Sequence, residues 1–374
     1  MRIAVVTNSR IPSLTANSIQ AMKVSQALAQ LGHDIRMFAP RETAPAKWDA
    51  LASHYGLSTP FEIEWLPSLP AFKRYDFSIS AMRAARRFNA DMVYTWLLNT
   101  AALESSLGIP VILEMHAEVT GKLGPWLMRR FWRSAAPKRM LVTTRPLGES
   151  IERVAGQKFP NDAVQVAPNG VDLHRYEDLP SSAESRRRLE LDENLTLGFT
   201  GHIYPGRGAD LLFDLALRMP DVNFLWVGGT PELLAFWREK LADAGASNVT
   251  MTGFVENSRL PLYQAAADIL LMPYGRSIAA SSGQDIAEVI NPMKMFEYMA
   301  AGRAIVSADL PVIREVLNER NAVFCEPGDV NTWERTLRDL LADSPRRLAL
   351  GKQARKDAEN YTWLARAERA LEGF

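Results

Sequence analysis

The segment TGHIYPGRG (200–208) follows a β-type run and holds three glycines with His202 and Arg207, just ahead of a helical pattern that begins near Ala209. Backbone N–H groups at such a turn, with a guanidinium beside them, suit a diphosphate. A tight strand-to-helix turn with a solvated arginine is the plain alternative. In INPMKMFEYMAAG (290–302), Asn291 can cap a helix, Pro292 fits its first turn and Gly302 closes it. Lys294 and Glu297 stand three apart and share a helix face. The N-terminus of that helix, behind the loop YGRSIAASSGQDIAEV (274–289), makes an anion site, and a carboxylate one turn in accepts hydrogen bonds from sugar hydroxyls. The competing reading is an ion pair on a solvated helix.

A third segment, LEMHAEV (113–119), ends the β-type run PVILEM, and a continued strand would put Glu114, His116 and Glu118 on one face. Glu-x-His-x-Glu raises the question of a metal, but no further cluster completes a ligand set and no Asp-x-Asp occurs in the chain. A strand-end histidine turned toward a ligand is the expectation, with a hydrogen-bonded structural histidine as the alternative. In GPWLMRRFWRSAAPKRM (124–140), Trp126, Phe131 and Trp132 interleave with Arg129, Arg130, Arg133, Lys138 and Arg139. Such a segment either lies on an anionic membrane surface or packs its aromatics inward while the arginines reach for water, and the inward packing is the expectation.

Groups so placed need strands whose ends present loops to a ligand. The opening RIAVVT (2–7) is β-type, and after a polar loop Ser18 to Leu31 carries an apolar helical stripe (Ile19, Met22, Ala27, Leu28, Leu31) that Gly32 ends. Further β-type runs fall at 34–39, 61–66, 91–96, 110–115, 139–144 and 163–167, several separated by helix-length segments. The alternation predicts a parallel sheet. Residues 169–188 lose periodicity and gather proline, serine and charge, as an interdomain connection does. The alternation then restarts, with runs at 195–200, 223–228, 249–253, 268–273, 304–307 and 322–325. Two similar α/β domains, 1–175 and 176–354, are therefore expected. Residues 352–374 read as a polar helix with Tyr361, Trp363, Leu364 and Leu371 on its apolar side.

With 374 residues, 47% apolar and 23% charged, the chain can bury sizeable cores and is not a small disulfide-stapled module. Forty-three basic against 43 acidic side chains leave no net charge, which argues against a nucleic-acid binder. Residues 1–180 carry 21 Lys and Arg against 16 Asp and Glu, and 181–374 carry 22 against 27, so the neutral total hides an asymmetry. The single cysteine, Cys325, fits a reducing compartment. The apolar run Ile3 to Val6 is too short for a signal-peptide core and no run approaches a membrane span, so a cytoplasmic protein is expected. Residues 8–18 contain no glycine, which disfavours a nicotinamide dinucleotide fingerprint.

Taken in order, these segments resemble the family-four glycosyltransferases of the GT-B fold, and the resemblance runs over nearly the whole chain. LAQLGHDIRMFAP (28–40) looks like the family's first helix-to-strand passage, PNGVDLHRY (168–176) like its interdomain segment, and TGHIYPGRG like its phosphate-binding turn. VTMTGFV (249–255), AAADILLMPY (265–274) and NPMKMFEYMAAGRAIVS (291–307) resemble the family's later segments, in the same order. The resemblance implies an α/β protein of two Rossmann-like domains facing across a cleft. The first would hold the acceptor and the second the nucleotide sugar, with a C-terminal helix, about 355–374, crossing back onto the first. It implies that Glu297 holds the nucleotide ribose, that Arg207 and the amides at Met293 and Lys294 neutralise the diphosphate, and that His116 faces the donor sugar. By the same resemblance Phe254 and Val255 line the base pocket and Asn169 lies near the hinge.

Three positions depart from the family pattern. Val289 stands where the first of two glutamates is usual, with Glu288 beside it. The Arg and Lys of the phosphate turn are replaced by His202 and Arg207, leaving one permanent cation and one that depends on protonation. The glycine pair after the first strand is absent, so Asn17 or Ser18 is expected to approach the ligand there. The implied activity is retaining, metal-independent and cofactor-free sugar transfer from a nucleoside diphosphate to a hydroxyl of a carbohydrate or lipid-linked acceptor, in envelope or exopolysaccharide synthesis. Peripheral membrane contact would run through 124–140. An epimerase or hydrolase of the same fold, and a non-catalytic nucleotide-sugar-binding relative, are the alternatives.

Overall fold

The computed structural model describes residues 1–41, 45–69, 75–119, 121–160, 163–203, 205–279 and 285–374. The chain divides into two units, Met1–Asn169 with Trp363–Phe374, and Gly170–Thr362. In the first unit β1 (Arg2–Val6), β2 (Asp34–Arg41), β3 (Glu62–Pro67), β4 (Met92–Thr95), β5 (Val111–Met115), β6 (Lys138–Val142) and β7 (Val164–Val166) form one parallel sheet, ordered β3-β2-β1-β4-β5-β6-β7. Helices α1 (Ala16–Gln30), α2 (Trp48–Tyr55), α3 (Tyr75–Arg87), α4 (Leu98–Ser106), α5 (Gly124–Arg133) and α6 (Arg145–Ala155) join its strands. Strands β1, β4 and β5 are buried almost throughout, which is why they read as unbroken apolar runs rather than alternating ones.

The second unit opens with α7 (Ser182–Arg188) and repeats the plan. Its strands β8 (Thr196–Thr200), β9 (Asn223–Val227), β10 (Val249–Gly253), β11 (Ile269–Met272), β12 (Ala304–Ala308) and β13 (Val323–Cys325) are all parallel, in the order β10-β9-β8-β11-β12-β13. Helices α8 (Ala209–Arg218), α9 (Pro231–Asp243), α10 (Leu260–Ala266), α11 (Met293–Ala301), α12 (Val330–Ala342) and α13 (Ser344–Ala358) surround it, and α14 (Trp363–Leu371) belongs to the first unit. The core of the second unit is built on Phe199, Trp226, Leu271, Phe296, Val306 and Trp333.

Three expectations are corrected. The stretch read as aperiodic connection contains α7, because Ser181 accepts a hydrogen bond from the Glu184 N–H and starts a helix that Glu184 staples through Arg187 and Arg188. The tail is not one helix: α13 stops at Ala358, a 3-10 turn spans Glu359–Tyr361, and α14 restarts at Trp363. Its apolar side chains are divided accordingly. Tyr361 packs on Phe296 of the second unit, Trp363 and Leu371 are buried in the first, and Leu364 is exposed. The units part between Asn169 and Gly170 and between Thr362 and Trp363, rather than at 175/176 and 354/355. Helix α13 stays with the second unit because Ala354 and Ala358 join its core and Arg355 donates to the Ala300 carbonyl at 3.2 Å.

Candidate active site

In the second unit, the turn after β8 sits where the strand order reverses, between β8 and β11. Open α/β sheets bind ligands at that point, beyond the carboxyl ends of the strands. Gly208 caps α8 at φ 94°, and a Cβ there would stand 2.1 Å from the Pro273 carbonyl, so only glycine lets the turn lie against the segment after β11. Tyr204 and residues 280–284 of the two candidate loops lie outside the described residues.

Helix α11 starts at Met293 with Pro292 in the cap position (φ −75°, ψ 129°), so Asn291 stands outside the helix rather than capping it. Proline fits there because its missing N–H would have no partner within the helix. Met293 and Lys294 then occupy the first turn, whose N–H groups point out of the helix end. Tyr298 ties this helix to β8, its hydroxyl oxygen accepting from the Thr200 N–H at 2.8 Å.

Lys294 and Glu297 are not a solvated pair. Lys294 is buried, with Nζ 3.8 Å from the centre of the Phe199 ring and no hydrogen-bond partner among the described residues. A Cβ on Gly201, at φ 124°, would lie 3.1 Å from that nitrogen, so the Lys294 amine sits directly behind the glycine turn. Burial pushes it well below the ordinary lysine range, Arg207 adds to the shift and Glu297 opposes it. Glu297 is half-buried and accepts from Gln264 Nε2 at 3.1 Å, while Gln264 Oε1 accepts from the Tyr176 hydroxyl at 2.9 Å. His202 and Arg207 are half-buried in the same turn. Burial raises the Tyr274 hydroxyl to about 12, with Arg207 pulling the other way.

Phe254 is 50% exposed just after β10, and Val255 packs against Leu225, Val227 and Ala266. Glu288 is exposed beside Val289, whose N–H donates to the Ile286 carbonyl at 3.0 Å. Residue spacing assigned Lys294 only through its amide. The ammonium escaped it, because a lysine three residues before a glutamate gives no sign of which one is buried.

In the first unit β5 stops at Met115, so Glu114, His116 and Glu118 do not share an extended face. Glu118 accepts from the Ser150 hydroxyl instead. Glu114 is buried and held by Arg366 of α14, with Nη2–Oε1 at 2.6 Å and Nη1–Oε2 at 3.2 Å; the Tyr94 hydroxyl also donates to it. His116 Nε2 lies 2.6 Å from Glu114 Oε1. Gln20 of α1 completes the cluster: its amide nitrogen is 2.6 Å from His116 Nε2, donates to Asn169 Oδ1 at 3.0 Å and also reaches Glu114. Burial pushes the Glu114 carboxyl up, but Arg366 and His116 outweigh it and hold the group at about 2. His116 and Asn169 are thus brought together. Nothing in the spacing of Gln20, Tyr94 and Arg366 announced that they would join them.

The expectation for Ser18 is corrected: it is buried and its single hydroxyl proton is shared between the Ser13 and Thr15 carbonyls, 2.9 and 2.8 Å away, closing the start of α1. Asn17 is exposed in the first turn of that helix. In segment 124–140 Met128 and Phe131 are buried and Trp132 stacks on Phe159 at 4.5 Å, whereas Trp126 is 51% exposed. The inward packing therefore holds for part of the segment only.

Two family models match the chain, Glycosyltransferase Family 4 over residues 18–175 and Glycosyl transferases group 1 over 194–343. A D-inositol 3-phosphate glycosyltransferase of Xylanimonas cellulosilytica is 27% identical, over 92% of this chain and 88% of its own. A GDP-mannose-dependent alpha-(1-6)-phosphatidylinositol monomannoside mannosyltransferase of Mycolicibacterium smegmatis is 29% identical, over 59% of this chain and 58% of its own. The chain spans only 35% to 58% of the length of several curated relatives it matches. Among solved structures, Anabaena HepE in complex with UDP superposes with a TM-score of 0.74 at 15% identity, covering 100% of this chain and 99% of its own, a likeness of fold. By both halves of its sequence and by its two parallel-sheet α/β units, the chain belongs to the family-four, group 1 glycosyltransferases of the GT-B fold.

Proposed function

We propose that the chain moves a sugar from a nucleoside diphosphate to an acceptor hydroxyl, retaining configuration at the anomeric carbon and using its own cations in place of a metal. One observation carries this reading: a buried Lys294 amine without a hydrogen-bond partner among the described residues, set behind the glycine turn that bears Arg207. Burial and Arg207 disfavour its charged form, and an anion placed beside it favours that form again. A diphosphate is the anion that a strand-end turn and the first amides of α11, Met293 and Lys294, accommodate. Glu297, fixed by Gln264 and Tyr176, takes the ribose hydroxyls. As the bond from the anomeric carbon to the β-phosphate oxygen breaks, charge gathers on that oxygen, where these donors stabilise it. The acceptor hydroxyl oxygen bonds to the anomeric carbon on the face the diphosphate leaves and gives its proton to that departing oxygen, so no side-chain nucleophile is needed.

His116 meets the sugar in this reading, Phe254 and Val255 the base, His202 the phosphates when protonated, and Asn17 and Asn169 the acceptor side. The acceptor is a carbohydrate or lipid-linked molecule of envelope polysaccharide or glycoconjugate synthesis, met on the cytoplasmic side.

Titration calorimetry with UDP, GDP and ADP in EDTA tests the site, UDP first because HepE is solved with UDP and with UDP-glucose. One nucleotide should bind, and transfer from its sugar should survive EDTA with retained configuration by NMR. Binding of none overturns the site, and loss of turnover in EDTA overturns the metal-free mechanism. Val289 favours a second reading, a relative that binds a nucleotide sugar without turnover; binding without release of nucleotide from any donor would support it. Free or epimerised sugar formed without an acceptor would point to a hydrolase or epimerase.

A further inference from the structure

The first unit carries a buried ion pair that the proposed transfer reaction does not use. Arg366 and Glu114 are 2% and 1% exposed, and they come from distant parts of the chain, the last helix and the middle of the first sheet. The guanidinium does two things at once. Its Nη atoms fork onto both carboxylate oxygens, while Nε donates to the Pro168 carbonyl at 2.9 Å and Nη2 to the Ala167 carbonyl at 3.2 Å. Those carbonyls belong to the segment that carries Asn169, whose side chain accepts from Gln20. His116 Nε2, half-buried, meets the same oxygen, Oε1, that Nη2 of Arg366 meets, and the Gln20 amide nitrogen beside them spends its two protons on Glu114 and Asn169.

We infer that Arg366 is a positioning residue for His116: by forking onto the Glu114 carboxylate, it fixes the proton on His116 Nε2 and leaves Nδ1 as the ring nitrogen that can accept a hydrogen bond. The inference rests on the reading of His116 as the group that meets the donor sugar. A carboxylate that accepts from one ring nitrogen selects the tautomer and the ring orientation. A carboxylate free to turn selects neither. The planar fork of arginine does this and a lysine ammonium does not, because two parallel N–H groups fix the carboxylate plane whereas a point charge fixes only its distance. The final helix therefore acts on the site through one side chain as well as through its apolar packing.

The test is histidine ¹⁵N NMR of the full chain, with the His116 signals assigned from a His116→Gln variant. In the native protein His116 should show the Nε2–H tautomer. Arg366→Lys, and separately Glu114→Gln, should shift the His116 resonances toward a mixture of tautomers. In the transfer assay both should lower kcat roughly tenfold or more, with donor KM changed less than about threefold, a loss of about 1.4 kcal/mol per tenfold. Glu114→Gln conserves volume and leaves Arg366 its two carbonyl acceptors, so it serves if the lysine variant does not fold. Leu371→Ala loosens the same helix away from Glu114 and is the control. Unchanged His116 resonances in both site variants, or an equal shift in Leu371→Ala, overturns the assignment. The spectra do not depend on any sugar donor being found, so a failure of the transferase reading leaves this result standing and is seen separately.

Discussion

Lys294 and Glu114 show what an ion costs when it is moved out of water. Lys294 has a ring beneath it, Arg207 nearby and no hydrogen-bond partner among the described residues, so its buried nitrogen is an unsatisfied polar group whose charged form burial disfavours. Lys294→Met should therefore raise the melting temperature of the ligand-free protein by a few degrees, because an unsatisfied buried polar group costs about 1–3 kcal/mol. The same change should weaken binding of the matching nucleoside diphosphate by about tenfold or more, as a charge-assisted contact is lost. Scanning calorimetry and titration calorimetry read the two signs; a variant both less stable and normal in binding would refute the argument. Glu114 is the opposite case. Its carboxyl is held at about 2, below the ordinary 4.5, so its pairing stabilises the fold fully above pH 4.5, and that stability drains away as pH falls toward 2. Denaturant unfolding between pH 5 and about 2 should show this loss, and Glu114→Gln should flatten it while lowering stability at neutral pH.

At the scale of elements, the proposed nucleotide end of the second unit is set by how closely its loops approach one another. The turn after β8 lies against the segment after β11 at Gly208 and Pro273, and Tyr298 ties α11 to the end of β8. Gly208→Ala would place a methyl group 2.1 Å from the Pro273 carbonyl at a left-handed φ of 94°, so one backbone must move. We expect a loss of roughly 1–3 kcal/mol in stability and a clear weakening of nucleotide binding, read by thermal shift with and without nucleotide. A variant that melts and binds as the native chain does would refute the close approach. Helix α11 is buried over most of its length, including Met295, Phe296, Met299 and Ala300, so its N-terminus is held by packing rather than by a capping side chain. Strand positions were legible in the sequence, because parallel strands buried on both faces read as short apolar runs between helix-length segments. Helix ends were less so: the start of α11 and the break at 359–362 depend on contacts with β8 and Phe296 that no local pattern contains.

At the scale of the whole molecule, the neutral charge total conceals a basic face on the first unit. Ser106, Trp126, Arg129, Arg130, Arg133 and Ser134 line an open groove of about 380 Å³, with Trp126 and Leu123 exposed beside it. No helix among the described residues is long and apolar enough to cross a membrane. Vesicles containing about a third anionic lipid should co-sediment the protein at low salt and release it at high salt. Trp126→Ala combined with Arg130→Ala should abolish that binding, and equal binding to neutral vesicles would refute the electrostatic argument. The sequence alone determined the two α/β halves, the family, and the glycine turn with Arg207, because these depend on residue type and short-range spacing. Tertiary structure alone decided that the Lys294 side chain is buried, that Ser18 closes the start of a helix, and that Arg366 and His116 meet on Glu114. Burial and charge pairing are properties of which distant segments meet, and residues 114 and 366 meet only once the chain has folded.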